Sequence, residues 1–580
     1  MSKKRILIVG GVAGGATCAT RIRRLCEHCE IVIFEMGSYV SFANCGLPYF
    51  IGDVIVEEDK LLVATPALFK NRFNIQVCTD SEVTSIDREN KTIVVNDLLS
   101  GKNRVEHYDS LVLSTGAAAV WPDIEGVDLP GIYALRTIPD SRKIRAALDN
   151  IKHAVVMGAG YLGLELAENL KKRDIEVTLL QSSNQLMPTL DKEMASYVEK
   201  HIKQHGITCR LNSKVTSFQQ NSDQTLNLNL ANDQAITADA VMISVGVKPR
   251  VQLAEQADLE IGEHGGVRVN DHMQTSDENI WAVGDMVEVR HVITNEWHLF
   301  PLAGPANRQG RLAAAHIVGH EFAGASADMR YRGVQGTSVC GLFGLTVATT
   351  GVNEKQLKKA GYTDYEKVYL HPSNHVGYYP GAKPIHMKLL YDSKSGKVLG
   401  AQALGEAGVA RRIDVISSYI QMNATVYDLE EAELCYAPQF GATKDPVNLA
   451  GMLAANHLRD NHPLARWEEL MESHVQVVDT KDQNDADQLL ALILDDPYQQ
   501  AQIVDVRTVA EYDNKHIPNA INVPLDSLRE RLDELSRERE VWVVCGVGQR
   551  AYTATRILQQ NGFRVKNLSG GMQTYHSYLE

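Results

Sequence analysis

HAVVMGAGYLGLELAENLKK, residues 153–172, decides the fold. The apolar run Ala154–Met157 reads as a buried strand, and Gly158, Gly160 and Gly163 complete a G-x-G-x-x-G turn that opens a helix. The first glycine makes the turn, the second lets the backbone approach a pyrophosphate, and the third packs helix on strand. The same layout occurs 148 residues earlier in RILIVGGVAGGATCATRIRR, residues 5–24. There Gly10 and Gly15 fit, while Val12 stands where the middle glycine belongs. The strand that follows, EIVIFE, ends in Glu35, 25 residues after Gly10, an acid placed for a ribose 2′-hydroxyl. In the later unit VTLLQ ends in Gln181, 23 residues after Gly158. An amide accepts a ribose hydroxyl's hydrogen bond but has no charge to repel a 2′-phosphate. Two dinucleotide sites are therefore predicted, and the second leaves open the choice between NADH and NADPH.

Around these units the 580 residues predict about four domains. Hydrophobic residues at 44% and charged residues at 22% exclude a disordered, fibrous or coiled-coil chain. A net charge of -14 argues against a nucleic-acid partner and leaves room only for a local basic patch. The nine scattered cysteines read as reduced thiols of a cytoplasmic protein. The basic and apolar beginning, MSKKRILIVGG, reads as strand and turn, because glycines interrupt it and Arg21, Arg23 and Arg24 follow. No 18 apolar residues run together, so no membrane span is predicted.

Two further strands end in polar turns: LVLSTGA, residues 111–117, and NIWAVGD, residues 279–285. Two dinucleotide units carrying these segments in this order resemble the two-dinucleotide-fold flavoprotein disulfide reductases, over residues 1 to 450. The resemblance implies FAD held by Gly10, Val12, Gly15, Glu35, Val83, Thr115, Gly116, Gly284, Asp285 and Ala303, with Asp285 at the ribityl chain. It likewise implies a nicotinamide nucleotide, NADH or NADPH, at Gly158, Gly160, Gly163 and Gln181. The expected fold is α/β, with two Rossmann-like domains, an α+β dimerisation domain and a C-terminal α/β domain. The expected boundaries are 1–115 with 245–325 for FAD, 116–244 for the nicotinamide nucleotide, and 326–450 for the homodimer interface. A linker at 451–473 and a last domain at 474–580 complete them.

SFANCGLPYFIGD, residues 41–53, puts Cys45 at the start of a probable helix, where a thiol is expected to have a lowered pKa and raised nucleophilicity. Tyr49 and Phe50 stand where glutathione-reductase-type enzymes carry a second cysteine. With one thiol, the oxidised form must be a mixed disulfide, a persulfide or a sulfenic acid. Together with HVGYYPGA (375–382), RRIDV (411–415) and YAPQFGATKDPVN (436–448), this segment resembles the coenzyme A-disulfide reductases. In that single-cysteine branch Cys45 is the catalytic thiol. The resemblance implies coenzyme A contacts from Thr17, Arg21, Arg24, Ser41, Asn44, Asn307 and Lys444. Tyr378, Tyr379 and Tyr436 are candidate acids toward the leaving thiolate, and Tyr436 is also expected beside the partner subunit's flavin. Cys26-Glu27-His28-Cys29 is an isolated C-x-x-C without the second pair a zinc site needs, and no metal is expected.

Toward the C-terminus, IVDVRTVAEYDNKHIPNAINVP (503–524), VWVVCGVGQRAYTATRIL (541–558) and NLSGG (567–571) form a short α/β pattern. The strand VWVV delivers Cys545 into the loop CGVGQR, whose backbone N–H groups and Arg550 favour a thiolate or persulfide anion. The pattern resembles a rhodanese domain, and C-x-x-G-x-R is one residue shorter than a tyrosine-phosphatase loop. The whole is expected to reduce coenzyme A disulfide, coenzyme A persulfide or polysulfide through Cys45 and to transfer sulfur through Cys545. Its rivals are an NADH oxidase or peroxidase with a Cys45 sulfenic acid, and a sulfide-sensing flavoprotein.

Overall fold

The computed structural model describes residues 4–470 and 501–579. Compactness divides the chain into two units, 1–186 with 205–336, and 187–204 with 337–580.

The first unit holds two parallel five-stranded sheets. One runs in the order Ile280–Ala282, Ser110–Leu113, Arg5–Val9, Glu30–Phe34, Gln76–Cys78. The other runs Ile207–Arg210, Glu176–Leu180, His153–Met157, Ala240–Ile243, Ile132–Ala134. The inner strands Arg5–Val9, Ser110–Leu113, His153–Met157 and Ala240–Ile243 are apolar runs almost wholly buried, as parallel strands between helices must be, while the edge strands Gln76–Cys78 and Ile207–Arg210 are partly exposed. In each sheet the glycine-turn strand lies between the strand that follows it and a much later one. That reversal of order opens a crevice at the carboxyl ends of the strands. The helices Ala13–Leu25 and Tyr161–Lys171 leave those ends. The long helix Ala303–Ala323 packs on the first of them closely enough that a Cβ on Gly310 would stand 2.3 Å from the Gly14 carbonyl oxygen.

The second unit is built on an antiparallel sheet ordered Ser338–Leu342, Leu345–Gly351, Val398–Gly405, Ile385–Asp392, Tyr365–Leu370. Val409–Gln421 and Pro446–Leu458 are its main helices. Lys388 is fully buried there, 2.8 Å from Asp191 and also paired with Glu193 and Glu354. Three acids around one ammonium explain how a lysine is tolerated inside, since isolated buried charges are prohibitive.

The C-terminal region forms a parallel sheet ordered Leu464–Ala465, Val565–Leu568, Glu540–Val544, Ala501–Asp505, Ile521–Asn522. This revises the linker expected at 451–473. Residues 464–465 supply an edge strand, and the buried Trp467 donates its indole N–H to the Ser569 carbonyl at 2.7 Å. Burial of an aromatic residue, invisible in a polar stretch of sequence, anchors this segment. Residues 471–500, which include the rest of that stretch and the start of the domain expected at 474, lie outside the described residues.

The cysteines bring a second correction. Cys26 and Cys29 form a disulfide, while the other seven are free. A C-x-x-C at the end of the Ala13–Leu25 helix brings their Cα atoms to 5.7 Å, within the range a disulfide spans. No described helix is long and apolar enough to cross a membrane.

Candidate functional site

The internal repeat extends to individual contacts. Gly10 and Gly158 have φ of +95° and +99°, and a Cβ at either would lie 2.2 Å from a backbone oxygen, that of Ser114 or Ser244. Only glycine fits both demands. Gly15 and Gly163 let each helix close against the turn, since a Cβ there would come 2.0 and 1.9 Å from the Gly10 and Gly158 carbonyls. The middle positions differ. Gly160 faces open space, with nothing within 4 Å of its would-be Cβ. That clearance fits close approach of a ligand's phosphates.

The first turn borders a cavity of about 1010 Å³. Its walls bring together Gly10, Val12, Thr17, Glu35, Ser41, Asn44, Cys45, Val83, Thr115, Gly116, Gly284, Asp285, Ala303 and Asn307, all singled out from sequence. Gly15 lies beneath the turn, and Arg21 and Arg24 are not among the lining residues. Size and donor set fit an extended dinucleotide such as FAD: a glycine turn at a helix start, an acid at a strand end, and polar residues along the floor. Glu35 accepts N–H groups from Gly11 at 2.8 Å and Gly37 at 3.0 Å. Burial pushes its carboxyl up, against the pull of those two donors. Asp285 is paired at 2.7 Å with Arg136, which also donates to the Ala117 carbonyl. Thr115 donates at 2.6 Å to the Arg250 carbonyl, and the Gly284 N–H to Gln309 at 2.8 Å.

Cys45 is exposed to the cavity and is its only lining thiol among the described residues. The expectation of a helix-activated, low-pKa thiol is corrected. Cys45 lies inside a 3-10 turn, Asn44–Gly46, and the helix after it, Leu47–Ile51, has five residues, too short for a useful dipole. Desolvation by the surrounding walls raises the thiol's pKa, the Glu165 and Asp285 carboxylates raise it further, and Arg136 opposes them. Glu165 accepts the Tyr49 hydroxyl at 3.2 Å. Arg136 comes from a distant segment that carried no motif, and Glu165, though within the glycine-turn stretch 153–172, was not itself marked by it.

Two of the residues expected to contact coenzyme A, Thr17 and Asn307, hydrogen-bond each other across the packed helices. Arg21 has a buried Nε with no hydrogen-bond partner, and its pKa is lowered by burial, then by Arg311 and Arg24. No described carboxylate pairs with any of these three guanidiniums. An acid-free cluster of arginines with an orphaned donor matches a phosphate-bearing ligand. Arg311, on the distant helix Ala303–Ala323, was missed in sequence and is found only by packing.

In the second unit, Tyr378 and Tyr436 share a 2.8 Å hydroxyl–hydroxyl hydrogen bond, and both rings are exposed, as is Tyr379. The bond to Tyr378 raises the pKa of Tyr436. Lys444 is exposed beside Asp445, which caps the helix Pro446–Leu458 and pairs with Arg411 and Arg412 at 2.7 and 2.9 Å. The RRIDV segment thus anchors the loop that carries Tyr436 and Lys444. Cys545 ends the strand Glu540–Val544 and is 1% exposed, with the Gly548 N–H aimed at its sulfur at 3.2 Å. Arg550, expected to stabilise a charge on that sulfur, forms a bidentate pair with Glu511 at 2.6 and 2.8 Å and remains electrostatically coupled to Cys545. This pairing holds the Glu511 carboxyl down at about 2. Glu511 sits in the AEY segment and went unremarked in sequence. The first helical N–H groups of Gly571–Leu579 also brace the loop, through Met572 to the Cys545 carbonyl and Gln573 to the Gly546 carbonyl.

Comparison with known proteins sets these sites in a family. Residues 4–310 match pyridine nucleotide-disulphide oxidoreductases, 337–445 the dimerisation domain of that family, and 485–578 the rhodanese-like domain. The chain is 34% identical over 453 residues to the coenzyme A disulfide reductase of Staphylococcus haemolyticus, covering 78% of this chain and 99% of that one. Its fold is similar to reduced Bacillus anthracis CoADR-RHD, with a TM-score of 0.92, 40% identity and 100% and 99% of the two chains covered. It is also similar to an NAD-dependent persulfide reductase from A. fulgidus, with a TM-score of 0.87, 36% identity and coverage of 98% and 100%.

Proposed function

The chain belongs to the pyridine nucleotide-disulphide oxidoreductase family, and from that premise we propose that it is an FAD-dependent NAD(P)H reductase of coenzyme A disulfide and coenzyme A persulfide. Its rhodanese-like domain supplies sulfur transfer at Cys545. The observation that carries the reading is Cys45, the one thiol in the cavity wall among the described residues, because a single thiol cannot close an internal disulfide there and must hold its oxidised state as a mixed disulfide, a persulfide or a sulfenic acid. The similarity to coenzyme A disulfide and persulfide reductases supports the first two.

FAD, when bound, supplies the two-electron path between the nicotinamide nucleotide and Cys45. The protein's own groups do the rest. The glycine turn and Glu35 hold the adenosine end, and Gly158, Gly160, Gly163 and Gln181 hold the nicotinamide nucleotide. Cys45 thiolate attacks the substrate's sulfur–sulfur bond, one sulfur leaves as a thiol or as sulfide, and Cys45 keeps the other as a mixed disulfide or persulfide. Two electrons then cleave that sulfur–sulfur bond, restoring the Cys45 thiolate and releasing the second sulfur as a thiol or as sulfide. Because Cys45 is not intrinsically acidic, Arg136 is assigned the task of stabilising its thiolate against Glu165 and Asp285. Tyr379 and Tyr436 serve as proton donors to the leaving sulfur, a role their exposed hydroxyls suit in a homodimer where each subunit completes the other's site. Arg21, Arg24 and Arg311, with Thr17, Ser41, Asn44 and Asn307, form the coenzyme A site of the first unit, and Lys444 is a further candidate contact from the second. Cys545 accepts sulfane sulfur, and a cytoplasmic setting suits such thiol chemistry.

Denaturing the oxidised enzyme and adding reductant should release about one coenzyme A per Cys45. Release of none, with Cys45 found as a sulfenic acid, would refute the reading and support an oxidase or peroxidase. Arg21→Gln and Arg311→Gln should each raise KM for coenzyme A disulfide about 5–10-fold with kcat unchanged, the signature of lost uniform binding.

A further inference from the structure

The loop that carries Cys545 holds less free charge than its residues suggest. Arg550 is the sole cation of CGVGQR, residues 545–550, and Glu511 takes both of its terminal nitrogens, at 2.8 and 2.6 Å. Glu511 is itself fixed in place. It stands at the third position of the helix Val509–Asn514, where its carboxylate accepts the Thr508 N–H at 3.0 Å and the Thr508 hydroxyl at 2.9 Å. Thr508 accepts the Glu511 N–H at 3.3 Å in return, which closes a capping box. The Arg550 hydrogen bond holds the Glu511 carboxyl well below the usual range, so the pair is ionised.

The neighbouring charges cancel in the same way. Asp505, fully buried, meets the Arg507 guanidinium at 2.6, 2.9 and 3.0 Å. Glu511, and after it Cys545 and Asp505, keep the Arg550 guanidinium charged against the desolvation of its site. Two cations beside the Cys545 sulfur are thus matched by two carboxylates. Backbone is left to support negative charge: the Gly548 N–H, 3.2 Å from the sulfur, and the start of the helix Gln549–Gln560. A helix start offers roughly half an elementary charge, which suits a single thiolate or persulfide anion.

Sulfur donors differ in the charge they bring. When the Cys545 thiolate attacks the outer sulfur of thiosulfate, the donor's sulfur–sulfur bond breaks and its electron pair leaves with sulfite: Cys–S⁻ + S–SO₃²⁻ gives Cys–S–S⁻ + SO₃²⁻. Three negative charges share the loop during that step. With a hydropersulfide, R–S–SH, the thiolate takes the outer sulfur, R–S⁻ leaves with the electron pair and collects the proton, and Cys–S–S⁻ and R–SH result. One negative charge is present throughout.

We propose that Glu511 sets the donor specificity of this site: by committing Arg550, it suits Cys545 to persulfide donors and turns it against dianionic donors such as thiosulfate. The inference rests on the sulfur-transfer role assigned to Cys545 above and names the donor class.

The test uses the FAD-loaded full chain with two probes, thiosulfate and the persulfide of N-acetylcysteine methyl ester. Rapid quenching and peptide mass spectrometry follow the gain of one sulfur on Cys545. Each rate is divided by the same donor's rate with free N-acetylcysteine thiolate, which removes the donor's intrinsic reactivity. On that scale the persulfide should be favoured at least about tenfold, and the thiosulfate rate should not fall with added salt, since no net positive charge draws the dianion in. Glu511→Gln keeps the cap, because glutamine serves in a capping box as glutamate does, and removes the charge that offsets Arg550. This variant should load from thiosulfate about tenfold faster at low salt, with the gain shrinking as ionic strength rises, while its persulfide rate stays within about twofold of the parent. A merely structural role for Glu511 would move both donors together and would leave the salt profile alone. Equal normalised rates for the two donors in the wild type, or a Glu511→Gln variant with the parent's donor preference, would overturn the proposal while sulfur transfer at Cys545 stands. Sulfur gained on Cys545 from neither donor would overturn the sulfur-transfer reading and this inference with it.

Discussion

Alanine at Gly158 and alanine at Gly160, two residues apart, should fail in different ways. At Gly158 the methyl group meets the Ser244 carbonyl oxygen at 2.2 Å, and φ of +99° is disallowed for alanine. The backbone must shift, at a cost of roughly 3 kcal/mol or more from strain and clash together. At Gly160 the backbone has φ of -79° and ψ of -173°, which alanine adopts freely, and its Cβ touches no protein atom within 4 Å. Folding stability should therefore stay within about 0.5 kcal/mol of the parent, or rise slightly through the less flexible unfolded chain. The same methyl group occupies the space through which a pyrophosphate reaches the backbone N–H groups. Losing one charge-assisted hydrogen bond of about 1.5–3 kcal/mol should weaken the nicotinamide nucleotide roughly 10–100-fold. Thermal denaturation of both FAD-loaded variants, with stopped-flow flavin reduction against nucleotide concentration, reads both effects. If Gly160→Ala is as unstable as Gly158→Ala, or binds nucleotide like the parent, the open face of Gly160 is not the phosphate approach.

Two further outcomes follow from the electrostatics. Cys45 alkylation by iodoacetamide should rise with pH along a curve displaced above that of an ordinary thiol, and Arg136→Ala should displace it further upward by about one pH unit, since a nearby cation is lost. An unchanged profile in that variant would remove Arg136 from thiolate stabilisation. Lys388→Met should cost about 3–5 kcal/mol by stranding buried carboxylates. Burial favours the protonated Glu354, but Lys388 and Lys367 outweigh it and hold its carboxyl below the usual range, so its stabilisation is present above that range and lost below it. Without Lys388 the stranded carboxyls should titrate upward, and denaturant midpoints should instead increase as pH falls toward 5. A midpoint that still declines on acidification would show that the remaining cations suffice.

The sequence by itself determined the two dinucleotide folds, the position of the thiol in the cavity wall and the loop that carries Cys545. These depend on short-range rules: a glycine where φ must be positive, an apolar run for a strand buried on both faces, a cysteine at a strand's end. Gly10, Gly15, Gly158 and Gly163 could be assigned turn and packing roles because each meets a backbone atom of its own turn or of the strand beside it. Tertiary structure alone decided whatever depends on charges brought together from distant segments. Arg311 stands near Arg21 only because two helices pack at Gly14 and Gly310. Arg550 is held by Glu511, 39 residues away, and Cys45 has a raised rather than lowered pKa because its walls desolvate it and Glu165 lies near. A motif records which group is present. How acidic or available that group is depends on its burial and its neighbours, and those are fixed only when the chain has folded.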